Sequence, residues 1–168
     1  MGIGKSRDGI LEVVGGKGDI INISKISQAN SEHIIAGGSL IYGDALASAI
    51  SLGVRGIITG GINVKDYKSM TGGVLEVPLK IGRDVGVSVL VTEGFGSIPI
   101  GDDMYSVLQE HNGKFAIIDG NRSKLTLPSS DSNSMFRIRA TQLLDLEKEP
   151  LIEAVKEVQA EKMVVGVS

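Results

Sequence analysis

Glycines and polar residues occur together at the ends of four predicted strands, and this combination suits a small-molecule site. The four ends read Gly37-Gly38-Ser39, Thr59-Gly60-Gly61, Thr92-Glu93-Gly94 and Asp119-Gly120-Asn121. Paired glycines expose backbone N–H groups and admit close approach, while hydroxyl and carboxylate side chains add a few polar contacts. In an open parallel sheet the carboxyl ends of all strands lie along one edge, where ligands bind.

These strand ends predict one binding site for a small polar or anionic ligand. Its predicted residues are Ser39, Thr59, Gly60, Gly61, Thr92, Glu93, Gly94 and Asp119. The alternative interpretation involves no ligand, because parallel-sheet proteins also use glycine at such positions simply to make the turns tight. The pattern names no cofactor.

Glu93 is the single catalytic candidate. It is an acid at a predicted strand end, with a hydroxyl residue before it and a glycine after it, which suits a general base. No Ser-His-Asp arrangement or activated nucleophile is visible in the sequence, so whether the protein is an enzyme stays open. His33 and His111 are far apart and the chain has no Cys, so no metal site is predicted. His111 is instead expected to complement the C-terminus of a helix.

Alternating strands and helices must position these residues. Short apolar runs predict strands, and apolar residues at helical spacing predict the helices between them. Two further β-rich runs, around 10–14 and 20–23, surround a glycine cluster and predict an N-terminal β-hairpin. The predicted strands are 34–36, 56–59, 85–91 and 115–118, and the predicted helices are 44–52, 63–70 and 102–112. The predicted fold class is α/β, with a parallel or mixed sheet flanked by helices. A layered β/β/α arrangement is the alternative.

Three regions are predicted along the chain. Residues 1–32 form the N-terminal β-hairpin module, and residues 33–148 form the α/β core, which ends in a hairpin of 124–127 with 136–140. Residues 149–168 form a C-terminal helix, which begins at Pro150, and a strand-like end. Because that end is apolar and has no evident partner strand, self-association is a further expectation.

Composition narrows the function classes. The chain has 168 residues, a net charge of -3, 42% hydrophobic residues and a mean hydropathy of +0.16, which excludes wholesale disorder. The mild acidity argues against a dedicated nucleic-acid binder. No apolar run is long enough to span a membrane, so a cytoplasmic location is expected. Two function classes stay open: a binder or enzyme of a small metabolite, and a non-catalytic interaction module of a larger protein or oligomer.

Two runs carry a resemblance to a known family. LGVRGIITGGI (52–62) and VLVTEGFGSIPI (89–100) resemble the core of an uncharacterised family of archaeal and bacterial proteins. The resemblance covers most of residues 10–140 and implies a small β-rich N-terminal module before a glycine-rich α/β core. No activity is attached to that family, so it implies no catalytic residue.

Overall fold

The computed structural model describes residues 1–71 and 86–128, together with the backbone of residues 135–139. In chain order the strands are β1 (Gly2–Ile3), β2 (Ser6–Val13), β3 (Ile20–Ile21), β4 (His33–Ala36), β5 (Leu40–Ile41), β6 (Gly56–Ile62), β7 (Ser88–Phe95), β8 (Phe115–Asp119), β9 (Lys124–Pro128) and β10 (Met135–Arg139). The α-helices are α1 (Gly43–Ser51), α2 (Val64–Met70) and α3 (Asp102–Glu110), and two 3-10 turns cover Ile23–Lys25 and Gln28–Asn30.

The strands form one mixed sheet in the order β1-β7-β6-β4-β2-β8-β9-β10. Strands β2, β4, β6 and β7 run parallel to one another, whereas β8 is antiparallel to β2, and β9 and β10 continue the antiparallel side. Strand β5 pairs with β6 beyond the end of β4, and β3 pairs with β5. The protein is therefore strand-rich and mixed, which agrees with the α/β class only in its coarse form.

The predicted N-terminal β-hairpin is wrong. Strand β2 pairs with β4 in parallel (Leu11 beside Ile34) and with β8 in antiparallel (Ile10 beside Phe115), while β3 pairs with β5. The glycine cluster between β2 and β3 therefore forms a loop at the sheet edge rather than a turn between paired strands. Because β2 lies between β4 and β8, it belongs to the same sheet as the strands of the predicted core.

Each face of the sheet carries its own apolar core. One face packs against α1 and α2 and buries Ile35, Ile57, Ile62, Val89, Val91, Ala45, Leu46, Ala49 and Tyr67. The other packs against α3 and buries Leu11, Ile34, Ala36, Ile58, Leu90, Ala116, Ile118, Leu125, Leu127, Met104 and Leu108. Because β6 is covered on both faces, all of its residues are buried, as expected for a central parallel strand.

The three predicted helices and the C-terminal hairpin are confirmed, with small shifts in their ends. Asn63 caps α2 by accepting a hydrogen bond from the Lys65 N–H at 2.9 Å. The register of β9 with β10 places Leu127 beside Phe136. The predicted C-terminal helix and strand-like end, together with the boundary at 148/149, lie outside the described residues.

Candidate functional site

The parallel strands bring most of the predicted site residues to one edge of the sheet. Strands β2, β4, β6 and β7 run in the same direction, so their carboxyl ends lie side by side. This glycine-rich edge contains seven of the predicted residues: Ser39, Thr59, Gly60, Gly61, Thr92, Glu93 and Gly94.

Asp119 does not share that edge, so the prediction that it converges with the others is wrong. Strand β8 runs antiparallel to β2, and Asp119 pairs with Ser6, the first residue of β2. Its carboxylate accepts a hydrogen bond from the Arg122 N–H at 3.0 Å. Asp119 therefore organises the turn before β9, at the opposite end of the sheet.

The glycines of this edge allow backbone segments to pack directly on one another. A Cβ added at Gly60 would overlap the Ile98 carbonyl, and one added at Gly61 would overlap the Gly96 carbonyl. Segment 96–100 thus crosses directly over the end of β6. Beside it, the N–H groups of Gly37, Gly38 and Gly60 donate to backbone carbonyls at 2.9–3.0 Å. These three N–H groups are engaged by the protein itself, which favours the tight-turn interpretation for them.

The hydroxyl groups at this edge also hold backbone segments together. Ser39 is only 3% exposed, and its Oγ donates to the Gly18 carbonyl at 3.1 Å. Thr59 Oγ1 donates to the Gly61 carbonyl at 3.2 Å, and Thr92 Oγ1 donates to the Thr59 carbonyl at 3.4 Å. Ligand binding by these residues stays a prediction.

Glu93 is exposed at the same edge. Within the part of the chain that the structure describes, no hydrogen bond or ion pair orients its carboxylate. A general base in a preorganised site is normally held by such a partner. Its catalytic role stays a prediction.

An open cleft lies beside this edge, where β2 ends against α3. It has a volume of about 530 Å³ and is lined by Val13, Val14, Gly15, Asp19, Lys25, Tyr105, Gln109 and Asn112. The lining residues belong to the end of β2, the loop that follows it, the first 3-10 turn, the last two turns of α3 and the turn after α3. Clefts of this size hold small organic molecules.

Asp19 and Lys25 provide the charges of the cleft. Lys25 Nζ lies 3.0 Å from Asp19 Oδ2, and the two side chains are 31% and 49% exposed, respectively. The Gly16 N–H donates to the same oxygen at 2.9 Å. This backbone hydrogen bond, followed by the hydrogen bond and charge of Lys25, lowers the pKa of Asp19 below its ordinary value of 3.8. Asp19 is therefore ionised at neutral pH.

Tyr105 and Asn112 tie α3 to β2 across the cleft. Tyr105 Oη donates to the Gly15 carbonyl at 3.1 Å, and Asn112 Oδ1 accepts from the Val13 N–H at 2.9 Å. Lys17 contributes a further tie by contacting Asp102 at the start of α3. These contacts fix the loop after β2 against α3 and thereby hold the two walls of the cleft together.

A second polar cluster joins β2, β4 and the second 3-10 turn. His33 Nδ1 is 2.7 Å from Glu12 Oε2, and Asn30 Nδ2 donates to the same oxygen at 3.0 Å. Glu12 directly precedes Val13 on β2, and successive side chains of a strand point to opposite faces of the sheet. Because Val13 lines the cleft, Glu12 points to the opposite face. In residues 1–71 and 86–128 no group of three or more His, Asp or Glu side chains is placed to hold a metal ion.

Comparison with known proteins yields no relative: no family model, curated protein or solved structure matches this chain. None of the helices that the structure describes is both long and apolar enough to cross a membrane.

Sequence reasoning missed the cleft because it assigned the loop after β2 to a hairpin. The segment Gly15-Gly16-Lys17-Gly18-Asp19 combines glycines with polar residues, as the four predicted strand ends do. That composition was the signal for a fifth strand end at this edge. Tyr105 and Gln109 of α3 and Asn112 of the turn after it carried no comparable signal, since only the packing of α3 brings them to the loop.

Proposed function

We propose that this protein binds a small polar molecule in the cleft between the end of β2 and α3. The observation that carries the proposal is the convergence of donors, acceptors and an apolar wall on one cleft of about 530 Å³. Ligand sites in α/β proteins typically lie outside the carboxyl ends of parallel strands, next to the point where the strand order reverses. Strand β2 lies at such a point, because β4, β6 and β7 follow on one side of it and the chain then returns to place β8 on its other side.

The side chains of the cleft retain hydrogen-bonding capacity toward a ligand. Three polar side-chain groups of the cleft have no hydrogen-bond partner among the residues that the structure describes. They are Asp19 Oδ1, the side-chain amide of Gln109 and Asn112 Nδ2. Val13 and Val14 are half-buried and supply apolar contact beside these groups. A cleft with a few convergent polar groups and an apolar wall can both hold and orient a small molecule.

Blocking the cleft with a bulky side chain tests the proposal. Gln109 is an exposed helical residue that lines the cleft, whereas its neighbour Glu110 is exposed but does not line it. The full chain, labelled with ¹⁵N, is titrated with mixtures of sugars, amino acids, nucleosides and organic acids while its amide shifts are recorded. We expect a ligand to shift the amides of Gly15 and Asn112, and Gln109→Trp to abolish that response.

Glu110→Trp is the matched control. It adds the same indole to the same helix but leaves the cleft open, so binding should persist. The natural chain has no Trp, so the fluorescence of each variant reports its own indole. A complete absence of amide shifts around the cleft would refute the proposal, and so would equal binding by both variants.

A second candidate function, self-association, is supported by a pair of exposed apolar side chains on β2 and β8. Ile10 and Phe115 face each other across β2 and β8 and are 39% and 44% exposed, respectively. Contiguous exposed apolar surface is typical of protein–protein interaction sites. Sedimentation of the wild type and of Phe115→Ser over a range of concentrations tests this function, with Lys114→Ser as the control. We expect a wild-type dimer that only Phe115→Ser disrupts; a wild type that stays monomeric at every concentration would refute it.

A further inference from the structure

The cleft places two opposite charges side by side, which constrains the charge of any ligand. The Lys25 ammonium and the Asp19 carboxylate are 3.0 Å apart and both line the cleft. A ligand anion that approaches Lys25 also meets Asp19, and a ligand cation that approaches Asp19 also meets Lys25. Since Coulomb energies at these distances are comparable and opposite, a ligand with a single charge gains little from the pair.

A ligand that carries both charges gains from each partner. The Lys25 ammonium has three N–H donors, of which one reaches Asp19, and Asp19 Oδ1 accepts no hydrogen bond from the described part of the chain. A ligand ammonium at Asp19 Oδ1 and a ligand carboxylate at Lys25 would complete a ring of four alternating charges. Each charge would then have two opposite neighbours, joined by charge-assisted hydrogen bonds.

We infer that the ligand class of this cleft is the free α-amino acid in its zwitterionic form. An α-amino acid carries its ammonium and carboxylate on one carbon, so its two charges are as closely spaced as those of Asp19 and Lys25. Val13 and Val14 line the same cleft and suit an aliphatic side chain. This inference rests on the proposed function, because it specifies the ligand of the same cleft.

A matched series of leucine derivatives tests the charge requirement. L-Leucine carries both charges, N-acetyl-L-leucine keeps only the carboxylate, L-leucinamide keeps only the ammonium, and N-acetyl-L-leucinamide has neither. Each is titrated into the ¹⁵N-labelled full chain, and dissociation constants are fitted to the amide shifts of Gly15, Gly16 and Asn112. We expect L-leucine to bind at least about tenfold more tightly than each of the other three, because losing a charged hydrogen bond typically costs about a factor of ten.

Two substitutions assign the charges to the protein. Asp19→Asn keeps an oxygen for the Gly16 N–H while removing the charge, and Lys25→Met removes the ammonium but keeps a flexible apolar chain. We expect each to weaken L-leucine binding about tenfold. The controls are Asp103→Asn and Lys65→Gln, since both residues are exposed and neither lines the cleft. Amide spectra of the unliganded variants verify that each is folded. If the loop rearranges in Asp19→Asn, the affinity of Lys25→Met for L-leucine still tests the charge requirement.

The outcomes separate this inference from the proposed function. If L-leucine and N-acetyl-L-leucinamide bind equally, or if L-leucine does not shift the cleft amides while a sugar or nucleoside does, the inference is refuted and small-molecule binding stands. If no compound in either experiment shifts the cleft amides, both are refuted.

Discussion

Replacing Gly61 by alanine tests whether the glycine-rich edge is built for backbone packing. A Cβ at this position would overlap the Gly96 carbonyl and would lie 2.7 Å from the Ser39 carbonyl. Segment 96–100 would have to move away from β6 and would weaken two backbone hydrogen bonds, from Gly96 N–H to Ile62 at 3.0 Å and from Ile98 N–H to Ser39 at 2.9 Å. If the glycine served only the approach of a ligand, the substitution would leave stability unchanged.

The expected loss of stability follows from these contacts. Overpacking of a closely packed site costs about 1–3 kcal/mol, and each weakened hydrogen bond costs about 1 kcal/mol. Alanine restricts the unfolded chain and offsets about 0.5–1 kcal/mol of that cost. We expect Gly61→Ala to lower the free energy of unfolding by about 2–4 kcal/mol, which corresponds to a fall in Tm of roughly 10 °C for a chain of this size.

Gly18→Ala is the matched control, because a Cβ there meets nothing within 4 Å. Urea unfolding followed by circular dichroism measures both variants against the wild type. We expect Gly18→Ala to change the free energy of unfolding by less than about 1 kcal/mol. Equal and small effects of the two substitutions would refute the packing interpretation of Gly61.

Three further predictions concern titratable side chains. The buried His111 ring lies 2.8 Å from the Val107 carbonyl and 2.7 Å from the Pro128 carbonyl. His111→Ala should therefore lower the free energy of unfolding by about 2–4 kcal/mol in urea titrations. A loss below about 1 kcal/mol would contradict a stabilising role for these hydrogen bonds. The pKa of Asp19 is lowered, so its contribution to stability is complete above the unfolded-state pKa and is lost as pH falls through the folded-state pKa. An NMR titration of its carboxyl carbon should therefore give a midpoint below 3.8, and a midpoint at or above that value would refute the assignment. Burial raises the pKa of Tyr67 above 10.0, so its contribution is present below the unfolded-state pKa and is lost as pH rises through the folded-state pKa. Absorbance at alkaline pH should show one late-titrating tyrosine that is missing in Tyr67→Phe.

The sequence determined the elements whose signals are local. Apolar residues at helical spacing marked α1, α2 and α3, and the apolar run of β6 marked a buried strand. Asn63 marked the start of α2, because an Asn side chain at that position satisfies an N–H that the first helical turn leaves without a partner. The pair Gly37-Gly38 correctly marked the end of β4, whereas Gly60 and Gly61 lie inside β6, which continues to Ile62.

Only the tertiary structure decided which strands pair and in which direction. The local sequence favours pairing of the two apolar runs on either side of Gly15–Asp19. In the structure β2 pairs instead with the longer strands β4 and β8, and this pairing buries Leu11 completely. The direction of β8 then places Asp119 at the far edge, because an antiparallel strand ends where its neighbour begins.

The cleft depends on the same long-range pairing. Its charged residues Asp19 and Lys25 follow β2, whereas Tyr105 and Asn112 belong to α3 and the turn after it, at least 80 positions later in the chain. No periodicity or local spacing connects segments so far apart, because each pattern reports only the burial of its own element. The packing of α3 against the sheet brings the two segments together and thereby creates the candidate site.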